Sequence, residues 1–303
     1  MRNWAIFSPD RIRLYAWASL ISEILIVVTG GAVRLTASGL GCPTWPKCTD
    51  ESFTTVPEMG IHGIIEFGNR TLTGVLGVIA LLTIISAWRL TKAKRKNVLG
   101  PTIGLLALIV LQAVIGGITV WTGLNPWIVG SHFVISGIMI ALATTLVWHV
   151  YRPTHQAIPY RVYQLTWPVT VIGWLTVIVG ILVTGAGPHS GDVKAGRNGL
   201  DLELWQHLHS YPAYAFLALL AIALSSLLKH DAGRPFSQWR LQTKIYSLLV
   251  VVAIAQAVIG VAQSRLGVPP LLVGLHMLGA AALVSLITFQ WLSVRGKTHV
   301  LEG

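Results

Sequence analysis

The chain has 303 residues, of which 53% are hydrophobic and 11% are charged, and its mean hydropathy is +0.67. A soluble protein carries about 25% charged residues, so this composition excludes an ordinary soluble domain. The net charge of +11 would suit a nucleic-acid-binding protein, but the basic residues cluster in short loops between apolar runs. That distribution is typical of membrane topology. We therefore expect a lipid membrane as partner and no nucleic acid.

Eight apolar segments follow one another along the chain, and each is long enough to cross about 30 Å of hydrocarbon as a helix. The sequence thus predicts an all-α polytopic membrane protein. The predicted spans are 14–35, 61–88, 100–121, 128–150, 165–186, 206–229, 245–265 and 271–294.

Lysines and arginines concentrate before span one and after spans two, four, six and eight. By the positive-inside rule, both termini are predicted to be cytoplasmic, with loops 36–60 and 187–205 on the outer side of the cell membrane.

An internal repeat relates the two halves. The stretch from Leu111 to Phe133 matches the stretch from Ala255 to Met277 without a gap, at an offset of 144 residues that pairs His132 with His276. Since four spans separate equivalent positions, the halves run in parallel. We predict two parallel-repeat four-helix bundles, 1–160 and 161–303.

Span two opens with the stretch HGIIEFGNR, in which His62, Glu66, Asn69 and Arg70 share one helical face. Ionisable groups within a membrane helix are costly and usually mark a functional site. The alternative is a purely structural Glu66–Arg70 pair.

Histidines recur near the outer ends of all even-numbered spans: His62, His132, His207, His209 and His276. A histidine on each of two facing helices could bind one haem from both sides. Zinc or copper is less favoured, because such ions need ligands that converge on one point. His207 and His209 point about 200° apart, so only one of them can face the bundle.

The first outer loop reads RLTASGLGCPTWPKC and contains the chain's two cysteines, Cys42 and Cys48. On an oxidising side of the membrane they are expected to form a disulfide. A metal site and free thiols remain the alternatives.

These motifs together resemble haem A synthase, the membrane enzyme that converts haem O to haem A for cytochrome oxidase. The resemblance rests on the Cys-Pro-x-Trp-Pro loop, the acidic stripe of span two and the histidines of spans four, six and eight. It implies axial ligation of haem b by His209 and His276, a substrate-haem site at His132, and a catalytic Glu66.

The family's usual pattern on span two is Glu-x-x-His-Arg, whereas Asn69 occupies the histidine position here. Either His62 replaces that ligand or the substrate iron has one protein ligand, and Asn69 and Arg70 line the same site.

The implied reaction oxidises the C8 methyl group of haem O to a formyl group with oxygen from water. Haem O synthase would supply the substrate, and a quinone is one candidate electron acceptor. A di-haem electron carrier and a parallel-repeat transporter are the competing functions.

Overall fold

The computed structural model describes residues 8–153, 156–295 and 300–301, and this part of the chain is almost entirely helical. Eight of its helices are long and apolar enough to cross a membrane, which confirms the predicted all-α, multi-pass architecture. They are α1 (Ile12–Leu35), α2 (Gly60–Trp88), α3 (Lys92–Trp121), α4 (Pro126–Tyr151), α5 (Tyr160–Ala186), α6 (Leu202–His230), α7 (Leu241–Arg265) and α8 (Pro270–Arg295). A two-residue parallel pairing joins β1 (Ile158–Pro159) to β2 (Val300–Leu301).

Each predicted span falls within one helix, and the main differences are at the starts. Helix α3 begins at Lys92 rather than at residue 100, because the basic segment KAKRKN is helical although it is not apolar. Lysine, arginine and alanine are good helix formers, so the backbone helix continues beyond the hydrophobic stretch.

The chain divides into two compact units. Unit 1 comprises Met1–Tyr151 and Ile181–Leu202, and unit 2 comprises Arg152–Gly180 and Glu203–Gly303. The predicted boundary between residues 160 and 161 remains a prediction, as does the parallel relation of the two halves.

In unit 1, α1 packs against α2 and α4, and α3 packs against the same two helices, which closes a four-helix bundle. The end of α5 and the loop after it also belong to this unit. The Gly39 amide donates to the Gly191 carbonyl at 2.7 Å, and Arg34 donates to the carbonyls of Thr184 and His189. The two long loops are therefore tied together beside the end of α1.

Unit 2 has a core to which all four of its helices contribute, with Val169, Phe216, Leu249 and Ile287 among its buried members. A buried polar network crosses this core: Gln290 donates to the Tyr246 hydroxyl at 2.8 Å. Hydrogen bonding within the core satisfies groups that would otherwise be costly to bury.

The turns α3–α4 and α7–α8 have the same backbone form. Gly123 and Leu124 have φ of 60° and 61°, and the residues at the repeat offset, Gly267 and Val268, have φ of 74° and 60°. The internal repeat thus extends to the turn geometry. The terminal segments 1–7 and 302–303, whose cytoplasmic side is predicted from charge, lie outside the described residues.

Candidate functional site

In unit 2, His209 of α6 and His276 of α8 face each other, with ring centroids 6.5 Å apart and ring planes at 79°. The Nδ1 atom of each ring is buried and makes no well-formed hydrogen bond to a described residue, although the His209 ring interacts with the Thr176 backbone. Buried polar atoms normally have a partner, so two such atoms on facing imidazoles point to a ligand. His207, two residues before His209, is exposed.

The separation of these two rings fits axial ligation of one metal. A metal–imidazole bond is about 2 Å long, and the ring centroid lies about 1 Å beyond the nitrogen. Two imidazoles that bind one metal ion from opposite sides would therefore have centroids roughly 6 Å apart. Glycines stand behind both rings. A Cβ atom at Gly180 would lie 3.0 Å from His209, and one at Gly260 would lie 3.4 Å from His276. The donor set of unit 2 therefore fits a bis-histidine haem.

In unit 1, His132 of α4 shares two features with His276. Its ring lies against Gly116, where a Cβ atom would be 3.6 Å away, and its Nδ1 atom is also buried without a partner in the described part of the chain. Gln112 fixes the backbone here by donating to the His132 carbonyl at 3.0 Å and to the Ser136 hydroxyl at 2.7 Å. His132 is thus a third imidazole available to a ligand.

Glu66 and Arg70 bind the loop between the two cysteines, which we call the strap (residues 42–48). Glu66 is 6% exposed, and its Oε2 accepts from the Cys42 amide at 2.6 Å while its Oε1 accepts from the Arg70 guanidinium at 2.5 Å. Arg70 also donates to the carbonyls of Cys42, Thr44 and Lys47 at 2.9, 2.9 and 3.1 Å. The carboxylate and guanidinium therefore hold the strap against α2.

Cys42 and Cys48 form a disulfide, as predicted, and both are fully buried. The alternatives of free thiols and a two-cysteine metal site are thereby removed. Across the described residues, no three or more His, Cys, Asp or Glu side chains are grouped so that they could hold a bare metal ion.

The other two residues of the predicted stripe have different neighbours. His62 is exposed, and its Nδ1 lies 2.9 Å from the Ser38 hydroxyl. Asn69 accepts a hydrogen bond of 2.8 Å from Thr29 of α1. Each of these side chains has a polar partner, whereas the His132 Nδ1 atom has none in the described part of the chain.

Two features were missed by the sequence reasoning. Trp45 of the strap lies on Gly117 of α3, where a Cβ atom would be 2.5 Å from the indole. Glu23, in the middle of α1, is 3% exposed and has no hydrogen-bond or ion-pair partner among the described residues. The sequence did contain a signal for each: the consecutive glycines Gly116 and Gly117, and the single acidic residue Glu23 within an apolar span.

Comparison with known proteins agrees with these motifs. A family model described as cytochrome oxidase assembly protein matches residues 13–189, which is more than half of the chain. A haem A synthase of Bacillus cereus strain ATCC 14579 is 26% identical over 315 aligned positions, covering 96% of this chain and 97% of that protein.

Two further haem A synthases match over shorter regions. The protein of Halalkalibacterium halodurans is 31% identical over 151 residues, which is 48% of this chain and 50% of the relative's length. The protein of Lysinibacillus sphaericus is 32% identical over 182 residues, 57% of each chain. With a family match over more than half its length, the chain belongs to the cytochrome oxidase assembly protein family, as its resemblance to haem A synthases indicated.

Proposed function

We propose that this protein converts haem O to haem A by oxidising the C8 methyl group to a formyl group with oxygen from water. The names of its relatives support a role in haem A synthesis. The observation that carries the proposal is the asymmetry between the two units. Unit 2 has two opposed imidazoles, whereas unit 1 has one available imidazole together with a buried carboxylate.

This asymmetry argues against a di-haem electron carrier. A protein that only transfers electrons needs no carboxylate near one of its haems, and burying a carboxylate costs free energy. A transporter would need neither the opposed histidines nor their partnerless ring atoms.

We assign haem b to unit 2, with His209 and His276 as its axial ligands. A haem b held by these two residues would supply one-electron transfer. We assign the substrate iron to His132 as its single protein ligand, because the His62 side chain is exposed and Asn69 is hydrogen-bonded to Thr29.

Glu66 and Arg70 then act on the methyl group of haem O. Replacement of one methyl hydrogen by the hydroxyl of water releases two protons and two electrons. A second such replacement gives a geminal diol, which loses water to leave the formyl group. Glu66 orients the water and accepts a proton, and Arg70 holds the carboxylate through two hydrogen bonds.

The electrons must pass to an acceptor, for which a quinone of the same membrane is the chemical class we propose. Haem O synthase would supply the substrate. We place the protein in the cell membrane with both termini in the cytoplasm, as the charge distribution predicts.

Pigment analysis of protein purified from cells that make haem O tests this function. We expect haem b together with haem O or haem A, and conversion of haem O to haem A in the presence of an electron acceptor. Protein that contains only haem b would instead indicate an electron carrier. Protein without any haem absorption would indicate a transporter.

A further inference from the structure

The Trp45 indole occupies a place that only glycine leaves open. A Cβ atom at Gly117 would lie 2.5, 2.8 and 2.8 Å from three atoms of this ring, closer than real Cβ contacts allow. The ring also meets Trp121, one turn further along α3, edge to face at 5.4 Å and 86°. Aromatic pairs of this geometry add to the stabilisation that burial provides. The strap is therefore docked on α3 through one aromatic side chain.

Hydrogen bonds fix the backbone before and after Trp45. Arg70 donates from one nitrogen to the carbonyls of Thr44 and Lys47, which flank Trp45 and Pro46. The disulfide closes the same loop. Trp45 is thus a fixed side chain that links α2, through Arg70, to α3.

The position of α3 that contacts Trp45 adjoins the position that faces the His132 imidazole. Gly116 faces His132 and Gly117 faces Trp45, so neighbouring positions of α3 contact the two rings. Consecutive Cα atoms are about 3.8 Å apart, which puts the indole and the imidazole on adjoining sides of one helical turn.

The repeat shows that this arrangement belongs to unit 1 alone. Gly260, the equivalent of Gly116, also faces a histidine, but the equivalent of Gly117 is Val261, which is 50% exposed. The first glycine faces an imidazole in both units, at a distance where a Cβ atom would make ordinary van der Waals contact. The second glycine is present only where an indole covers the helix, and there a Cβ atom would clash.

We propose that Trp45 is a positioning residue that forms one wall of the His132 site and orients the flat, apolar haem bound there. This inference rests on the proposed function, since it takes haem O as the ligand. The indole is only half-buried, so part of its surface remains available for such a contact.

Titration of haem O into purified protein, followed by absorbance, tests the inference apart from turnover. We expect Trp45→Ala to weaken haem O binding about tenfold, with a raised KM, while haem b and the disulfide are retained. Gly117→Val should have the same effect, because it displaces the indole without changing the strap. The haem O affinity of Trp45→Phe should lie between those of wild type and Trp45→Ala. Trp127→Ala, which removes an exposed tryptophan from α4 of the same unit, is the matched control and should bind as wild type does.

Wild-type haem O affinity in Trp45→Ala or in Gly117→Val would overturn the inference. If Trp45→Ala does not accumulate, Trp45→Phe decides, and an unchanged affinity there would overturn it as well. A wild-type protein that binds haem O but never forms haem A would contradict the proposed function instead. The titrations would still test whether Trp45 contacts the bound haem O.

Discussion

At the level of single residues, the proposed ligand sites rest on His132, His209 and His276, whose buried Nδ1 atoms make no well-formed hydrogen bond to a described residue. The sequence predicted these histidines through their positions at the starts of even-numbered spans. It could not choose between His207 and His209, because the repeat offset varies by several residues along the chain. The structure distinguishes them, since only the His209 ring faces His276.

We expect His209→Ala and His276→Ala each to abolish the low-spin haem signal of purified protein, because one imidazole alone leaves an axial position unfilled. His207→Ala is the matched control and should keep the signal, since this side chain is exposed. Absorbance spectroscopy of the reduced protein is the measurement. Loss of the signal in His207→Ala alone would show that the wrong histidine was assigned.

Arg70 is the residue on which the strap most depends, since it donates to three strap carbonyls as well as to Glu66. Lysine cannot reproduce this planar set of donors, although it keeps the charge. We therefore predict that Arg70→Lys destabilises the strap by about 2 kcal/mol. The disulfide should then be reduced faster by a soluble thiol.

Thiol labelling after timed reduction measures this effect. Arg161→Lys, at an exposed arginine of α5, is the control and should leave the reduction rate unchanged. An equal rate in Arg70→Lys would show that the disulfide alone fixes the loop.

The sequence predicted that Glu66 and Arg70 share a helical face, and both do contact the strap. It could not predict that Asn69 bonds to Thr29 or that Trp45 lies on Gly117. Those contacts join residues 40 or more positions apart, and side-chain periodicity reports only which face of its own helix a residue occupies.

At the level of secondary-structure elements, helix α1 contains an unexpected buried acid. Glu23 is in the middle of an apolar helix and lacks a partner within the described ranges. A buried polar group without hydrogen bonds costs about 1–3 kcal/mol. We therefore expect Glu23→Met, which is similar in size, to raise the thermal midpoint of the purified protein.

Glu203→Met, at an exposed acid in the first turn of α6, is the control and should change stability by less than about 0.5 kcal/mol. A lower midpoint in Glu23→Met would mean that the carboxyl group has a stabilising contact, such as an ordered water.

The start of α7 is fixed by Asp231, which is almost fully buried in the loop after α6. It accepts hydrogen bonds from the Arg240 amide, the Arg240 guanidinium and the Thr243 hydroxyl at 3.0, 2.8 and 2.6 Å. Removing one member of a buried pair leaves the other charge uncompensated. We expect Asp231→Asn to lower the free energy of unfolding by about 3 kcal/mol.

The Asp231 carboxylate also makes the stability of the folded protein depend on pH. Burial raises the pKa of Asp231, but the hydrogen bonds from Thr243 and Arg240 and the charges of Arg240 and Arg234 outweigh it, so the net pKa is lowered. A lowered folded-state pKa stabilises the protein above the unfolded value of about 3.9, and this stabilisation is lost as the pH falls through the folded value.

Thermal midpoints of wild type and Asp231→Asn should therefore differ most near neutral pH and converge in acid. If the two thermal midpoints still differ by the same amount well below pH ~3.9, the stabilisation does not come from the charge of Asp231.

The last residue of every helix was predicted to within one position, whereas several first residues were predicted four or more positions too late. Hydropathy detects the part of a helix that lipid surrounds, and it does not detect the helical extension beyond it. The start of α3 at Lys92 is the clearest example.

At the level of the whole molecule, the sequence predicted two similar halves, and the structure adds how local features differ between them. The glycine–histidine contact and the turn geometry recur in both units, whereas the strap and the buried Glu66 are in unit 1 only. The sequence did not predict that the segment from Ile181 to Leu202 packs with unit 1, because beyond the end of α5 it is a loop of mixed composition that carries no periodic signal.

The central claim is that unit 1 oxidises haem O with the help of Glu66. Glu66→Gln keeps the size of the side chain and removes its charge, so it separates chemistry from packing better than a truncation does. The matched control is Glu203→Gln, at an exposed acid.

The decisive measurement is the haem composition of purified Glu66→Gln protein from cells that make haem O. The account predicts retained haem b, an intact disulfide, and haem O or a hydroxylated intermediate in place of haem A. Haem A at the wild-type level would contradict the catalytic assignment. Loss of haem b together with the disulfide would instead identify Glu66 as the structural partner of Arg70.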